Sequence, residues 1–192
     1  MSYMDIPGRC AYLWVYEDFI KTAPKDAVVV EVGVALGKSI AHMARLAINA
    51  GRDDITIVAV DPWAGVARNG EQQASGPPTP DGDFKLFLDT MEKQAPEEFA
   101  RIKVMRHWSS EAAAQFGDRS IDLVVIDAAH DFDNVMLDLC AWYPKIKPNG
   151  VMAGDDYEPV YQGVIDAVAS FFKEKHPEVR HDQGWGTWRV QL

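Results

Sequence analysis

Three aspartates and a histidine in the second half of the chain have the types and spacing of a metal-assisted acid–base site. Asp127 closes the apolar run IDLVVID (121–127), and Asp155 and Asp156 close NGVMAGDD (149–156). Apolar, β-branched runs of this length read as parallel strands. Neighbouring strands lie about 4.8 Å apart, so carboxylates at two adjacent ends can converge on one ion. Without a counter-charge such carboxylates repel and some are driven to protonate. A divalent cation removes that conflict. Few ligands, all oxygen, favour Mg2+, or Ca2+ or Mn2+ in its place, over Zn2+. The competing assignment has Asp155 and Asp156 capping the next helix and Asp127 facing solvent. His130 stands three positions after Asp127. An imidazole with an ordinary pKa of about 6.5 is suited to taking a proton from a hydroxyl near neutrality. In this place it can also touch a substrate or cap a helix beginning near Asp131.

A second group lies upstream in EVGVALGKS (31–39), where an apolar strand runs into a helix. The GKS ending invites a phosphate-loop reading, but that loop needs four residues between its glycines. Only Val34, Ala35 and Leu36 separate Gly33 from Gly37. The tighter turn lacks the anion nest, and Glu31 is a poor neighbour for phosphate. The turn does suit a ligand with a ribose and no phosphate. Gly33 and Gly37 admit close backbone approach, and Asp61, ending the next strand, can accept hydrogen bonds from ribose hydroxyls. Dinucleotides use such an acid too, yet their G-x-G-x-x-G pattern is only partly present, because Ala35 follows Val34. Taken alone, Asp61 also fits a strand-end acid that merely starts a loop.

The elements that must position these residues follow from periodicity. Residues 9–22 carry apolar side chains at helical spacing and stop before Pro24. Strands are expected at 28–33, 55–61, 101–107, 121–127 and 149–154. Helices are expected at 37–51, from Asp83 to Gln94, and at 109–116, 133–146 and 164–176. The tail 185–192 alternates enough to be a strand, paired antiparallel with 179–183. Strand alternating with helix predicts an α/β fold: a doubly wound, Rossmann-like sheet of seven strands, mostly parallel, with helices on both faces. Its ligands belong beyond the carboxyl ends of the strands. Residues 63–82 (WAGVARNGEQQASGPPTPDG) have no periodicity and read as a lid, a binding loop or a disordered segment.

The 192 residues suit a single domain, 1–192, with 47% hydrophobic residues for its core. Its net charge of −10 argues against nucleic acid or an anionic membrane as partner, because both bind through clustered cations. Six of the surplus negatives fall between Asp118 and Glu158, the stretch that holds the aspartate cluster. No apolar run is long enough for a membrane span, and the N-terminus lacks the pattern of a secretion signal. Cys10 and Cys140, far apart in apolar surroundings, read as two buried thiols of a reducing cytoplasm. Oligomeric state stays open, since the first helix can pack on its own sheet or on a second subunit.

The residues E-V-G-V-A-L-G (31–37), Asp61 and IDLVVID make the chain resemble the class I S-adenosylmethionine-dependent methyltransferases. More narrowly, IDAAHDFDNVMLDLCAWYPKIKPNGVMAGDDY (126–157) resembles the metal-dependent small-molecule O-methyltransferases, of the macrocin or sugar type and the catechol type. The resemblance implies that strands four and five are neighbours and that Asp127, Asp155 and Asp156 bind the metal. It places a general base at His130, where catechol-type enzymes carry a lysine. It implies S-adenosylmethionine across the first three strand ends, with Asp61 on the ribose and Trp63, Trp108 and Ser109 bordering the adenine. Glu31, Gly33, Ala35, Gly37 and Ser39 would surround the sulfonium and amino-acid end. The N-terminal helix and the 63–82 segment would close over a small hydroxylated acceptor. The competing readings are a methyltransferase that needs no metal or uses another acceptor atom, a non-catalytic cofactor-binding module, and a binder of nucleotide phosphates.

Overall fold

The computed structural model describes residues 2–64, 82–173, 178–182 and 186–192. Its helices are α1 (Leu13–Thr22), α2 (Lys38–Asn49), α3 (Gly82–Gln94), α4 (Pro96–Phe99), α5 (Ser109–Ala113), α6 (Phe132–Trp142) and α7 (Gln162–Phe172). Its strands are β1 (Val28–Val32), β2 (Thr56–Val60), β3 (Ile102–Met105), β4 (Ile121–Ile126), β5 (Ile146–Gly154), β6 (Arg180–Asp182) and β7 (Thr187–Gln191). They form one seven-stranded sheet in the order β3-β2-β1-β4-β5-β7-β6. β1 to β5 pair in parallel, and β7 runs antiparallel to both β5 and β6. This is the expected doubly wound, Rossmann-like α/β fold. The strand order reverses between β1 and β4, which makes the crevice beyond those two ends the place for a ligand.

The sheet interior alternates with a period of two, and each face fills its own core. Val29, Ala59, Val125 and Ala153 pack against α1, α2 and α3, whereas Val30, Val60, Val124 and Met152 face α5, α6 and α7. The same alternation, continued to the strand ends, sends Glu31, Asp127 and Asp155 toward the α1 side. α1 lies on its own sheet, with Val15, Tyr16 and Phe19 in that core.

Several boundaries differ from expectation for local reasons. α1 begins at Leu13, and residues before it form a 3-10 turn, Tyr3–Asp5, capped by Ser2. α4 was not anticipated. It is a single turn opened by Pro96, whose missing N–H costs nothing at a first helical position. α6 ends at Trp142 and passes into the 3-10 turn Tyr143–Lys145, where Pro144 cannot continue an α-helix. Cys140 is exposed and Cys10 half-buried, which corrects the expectation of two buried thiols. On α6 the buried stripe runs through Val135, Leu139 and Trp142, and position 140 falls outside it. The expected lid or binding loop lies outside the described residues except at its edges. Among the described residues no helix is long and apolar enough to cross a membrane.

Candidate active site

The turn after β1 is held by groups from β2 and β4. Gly33 has φ 86°, and a Cβ there would stand 2.0 Å from the Asp127 carbonyl oxygen, so only glycine lets β1 approach β4 this closely. Asp61 clamps the turn from the other side: its Oδ2 accepts from Val34 N–H at 2.9 Å and Ala35 N–H at 3.0 Å, and its Oδ1 accepts from Trp63 N–H at 2.7 Å. A carboxylate has about four acceptor sites, so capacity for a hydroxyl ligand remains. Ala35 and Trp63 both sit at positive φ, 49° and 43°. Non-glycine residues held this way cost roughly 1–3 kcal/mol each and persist where surrounding structure over-determines them. Trp63 supplies part of that constraint, since its Nε1 donates to the Ala35 carbonyl at 2.8 Å. Its ring is buried, with centroids 5.1 Å from Phe84 and 4.5 Å from Phe87. Trp63 thus props the turn from beneath. Gly37, at φ 92°, opens α2 against Met91 and Phe87.

Beneath the turn, Glu31 is fully buried among hydroxyls. Tyr16 donates to its Oε2 at 2.5 Å and Ser39 to its Oε1 at 2.5 Å. The Tyr12 hydroxyl lies 3.0 Å from Ser39 Oγ, 3.1 Å from Asp127 Oδ2 and 3.4 Å from Glu31 Oε1. Burial pushes the Glu31 carboxyl up to about 7, against the pull of these three donors. Sequence reasoning found Glu31 and Ser39 and missed Tyr12 and Tyr16, which it read as apolar members of a helical stripe. Their spacing of four, across the start of α1 and opposite a strand with a buried acid, is the signal that was present.

The acidic group forms across β4 and β5. Asp127, His130 and Asp156 each present one ligand atom, and these atoms lie within 4.8 Å of one another. His130 Nε2 is 2.5 Å from Asp156 Oδ2, and its ring stacks obliquely on Tyr161 with centroids 4.6 Å apart. Asp156 sits at a left-handed backbone position, φ 62°. Asp155 stands beside this group and outside the 4.8 Å set. Burial, then the neighbouring Asp156 carboxylate, pushes its carboxyl up to about 7. Neither Asp155 nor Asp156 caps a helix: Glu158 precedes the next 3-10 turn and Tyr161 precedes α7. Asp131 caps α6, accepting from Asn134 N–H at 3.1 Å, which leaves His130 to face Asp156.

At the β3 end the two expected residues part ways. Trp108 is half-exposed beside the crevice. Ser109 is turned into the protein, where its hydroxyl accepts from Trp142 Nε1 at 2.9 Å and bonds the Asp138 carboxyl. Asp138 is buried and pushed up to about 6 by desolvation.

The arrangement therefore joins a strained glycine turn, a strand-end acid on that turn and an acid–imidazole cluster one strand away. Residues 30–157 match the family described as methyltransferase domain. The chain belongs to this family. The matched segment runs from β1 through the acidic cluster. Three solved structures share the fold over most of this methyltransferase domain. The O-methyltransferase NovP aligns with 18% identity and TM-score 0.64, covering 94% of this chain and 79% of its own. CalS11, a calicheamicin methyltransferase, aligns with 17% identity and TM-score 0.69, covering 94% and 77%. A candidate caffeoyl-CoA O-methyltransferase from Staphylococcus aureus aligns with 14% identity and TM-score 0.66, covering 98% and 87%. Identities this low speak to the fold alone. No curated protein sequence matches the chain.

Proposed function

We propose that this methyltransferase domain transfers the methyl group of S-adenosylmethionine to a hydroxyl oxygen of a small molecule, assisted by a divalent cation. The observation that carries the reading is the meeting of Asp127, His130 and Asp156 within 4.8 Å, next to the Gly33 turn at the reversal of strand order. Asp61 and the backbone of Gly33, Ala35 and Gly37 receive the nucleoside and the methionine end. Glu31 and Ser39 lie beneath that end, and Trp108 offers a half-exposed ring at the β3 edge. Asp127, after β4, and Asp156, after β5, would be the first ligands to hold Mg2+, Ca2+ or Mn2+, with Asp155 beside Asp156. A cation held there would polarise the acceptor hydroxyl and lower its pKa.

His130 then accepts the hydroxyl proton while the oxygen forms its bond to the methyl carbon. The carbon–sulfur bond breaks, and S-adenosylhomocysteine leaves as a neutral thioether. Asp156, 2.5 Å from the imidazole, holds its orientation and stabilises the imidazolium that forms. A small hydroxylated acceptor agrees with the description of CalS11 as a TDP-rhamnose 3'-O-methyltransferase, whereas a polyanionic nucleic acid fits the acidic surroundings poorly. The His130–Asp156 contact also favours a second reading, in which that pair alone manages the proton without metal. Transfer of radiolabelled methyl groups to a panel of catechols and sugars separates the two. Transfer that falls to background in EDTA and returns with Mg2+ is expected. Full transfer in EDTA overturns the metal and leaves the second reading.

A further inference from the structure

Tyr12 adds a hydroxyl to the polar pocket that Glu31, Ser39 and Tyr16 form inside the core between α1 and the sheet. It is buried to 1% exposure in the core between α1 and the sheet, among Val15, Val29 and Val125. A phenylalanine would fill nearly the same volume without the cost of burying an O–H group, which is large unless the group is bonded. The phenol meets groups from both halves of the site: Ser39 and Glu31 below the glycine turn, and Asp127 at the end of β4. Ser39 and Tyr16 already donate to the two Glu31 oxygens at 2.5 Å each. The Tyr12 hydroxyl has two acceptors at similar distance, Ser39 Oγ at 3.0 Å and Asp127 Oδ2 at 3.1 Å, and Asp127 is the nearer of the two carboxylates around it. We infer that Tyr12 is a positioning residue, whose phenol fixes the rotation of the Asp127 carboxylate so that it meets a divalent cation together with Asp156.

This inference rests on the proposed metal-assisted reading. Hydrogen bonds behind a metal ligand orient it, and their loss typically weakens metal binding about 10- to 100-fold. Tyr16 provides the internal control, because its hydroxyl donates to Glu31 at 2.5 Å. Mn2+ binding to the full chain, read from the free-ion electron paramagnetic resonance signal, tests the assignment without recourse to turnover. Tyr12→Phe is expected to weaken Mn2+ by about 10-fold or more, and to weaken S-adenosylhomocysteine by a smaller factor in calorimetry. Tyr16→Phe is expected to keep the Mn2+ affinity of the unsubstituted protein. Equal Mn2+ affinity in Tyr12→Phe and the unsubstituted protein overturns the inference and leaves the metal reading intact. So does an equal loss of both ligands, which would mark a general loosening. Absence of Mn2+ binding by the unsubstituted protein overturns the metal reading and the inference together. Should Tyr12→Phe fail to fold, tyrosine ring-carbon labelling of the unsubstituted protein gives the same answer. Mg2+ should move the resonance that Asp127→Asn also moves, and no movement overturns the inference.

Discussion

At the residue scale, the site is a set of acids kept in place by neighbours of opposite or neutral character. His130 is the group placed to move a proton, with Asp156 behind it at 2.5 Å. Replacement by glutamine, His130→Gln, should lower kcat by about 10²- to 10⁴-fold, the range for a lost general base. S-adenosylhomocysteine affinity, measured by calorimetry, should stay unchanged. A comparable loss of cofactor affinity would move His130 from proton transfer to binding. Asp138 makes a separate prediction about stability. Its folded-state pKa is raised to about 6 by burial, so the folded chain keeps a proton that the unfolded chain releases at lower pH. Both states are protonated below roughly pH 4, and stability then falls as pH rises, levelling off above about 6. Asp138→Asn should abolish that fall and gain about 2 kcal/mol at pH 7.5 in urea melts, with little gain at pH 4. An equal gain at both values would contradict the assignment.

At the element scale, the strand ends and the turns after them decide what the crevice can hold. Gly33 is the tightest point, where any Cβ meets the Asp127 carbonyl at 2.0 Å. Gly33→Ala combines left-handed strain with a backbone collision, and should cost about 3 kcal/mol in chemical denaturation. A neutral Gly33→Ala would mean that the two strand ends separate without penalty. Much of this scale was legible in the residues. β-branched runs marked the parallel strands, Pro24 closed α1, and the acids at 61, 127 and 155–156 fell just past strand ends, as alternation with helices requires. Other parts were not. Tyr12 meets Asp127 across 115 positions, and helical spacing reports only that the tyrosine is buried, never what its hydroxyl meets. Ser109 has the type and place of a ligand contact, yet a tryptophan and an aspartate on α6 take its hydroxyl. Likewise the spacing of Asp127, Asp155 and Asp156 could not tell which of two adjacent aspartates joins the histidine. Asp156 is the one that does, from a left-handed backbone position.

At the scale of the whole molecule, the fold gathers charge from four strand ends into one crevice. Glu31, Asp61, Asp127, Asp155 and Asp156 account for a share of the −10 net charge, which the sulfonium and divalent cation of the proposed reaction would offset. Burial pushes the carboxyls of Glu31 and Asp155 both up to about 7. The family match shows a methyltransferase domain, and in the proposed reaction this crevice binds the methyl-donor nucleoside. Isothermal titration with S-adenosylhomocysteine is the direct test. Saturable one-to-one binding in the micromolar range, weakened about 10-fold or more by Asp61→Ala through lost ribose and turn contacts, is the predicted result. No heat at millimolar ligand, or binding indifferent to Asp61→Ala, would contradict it.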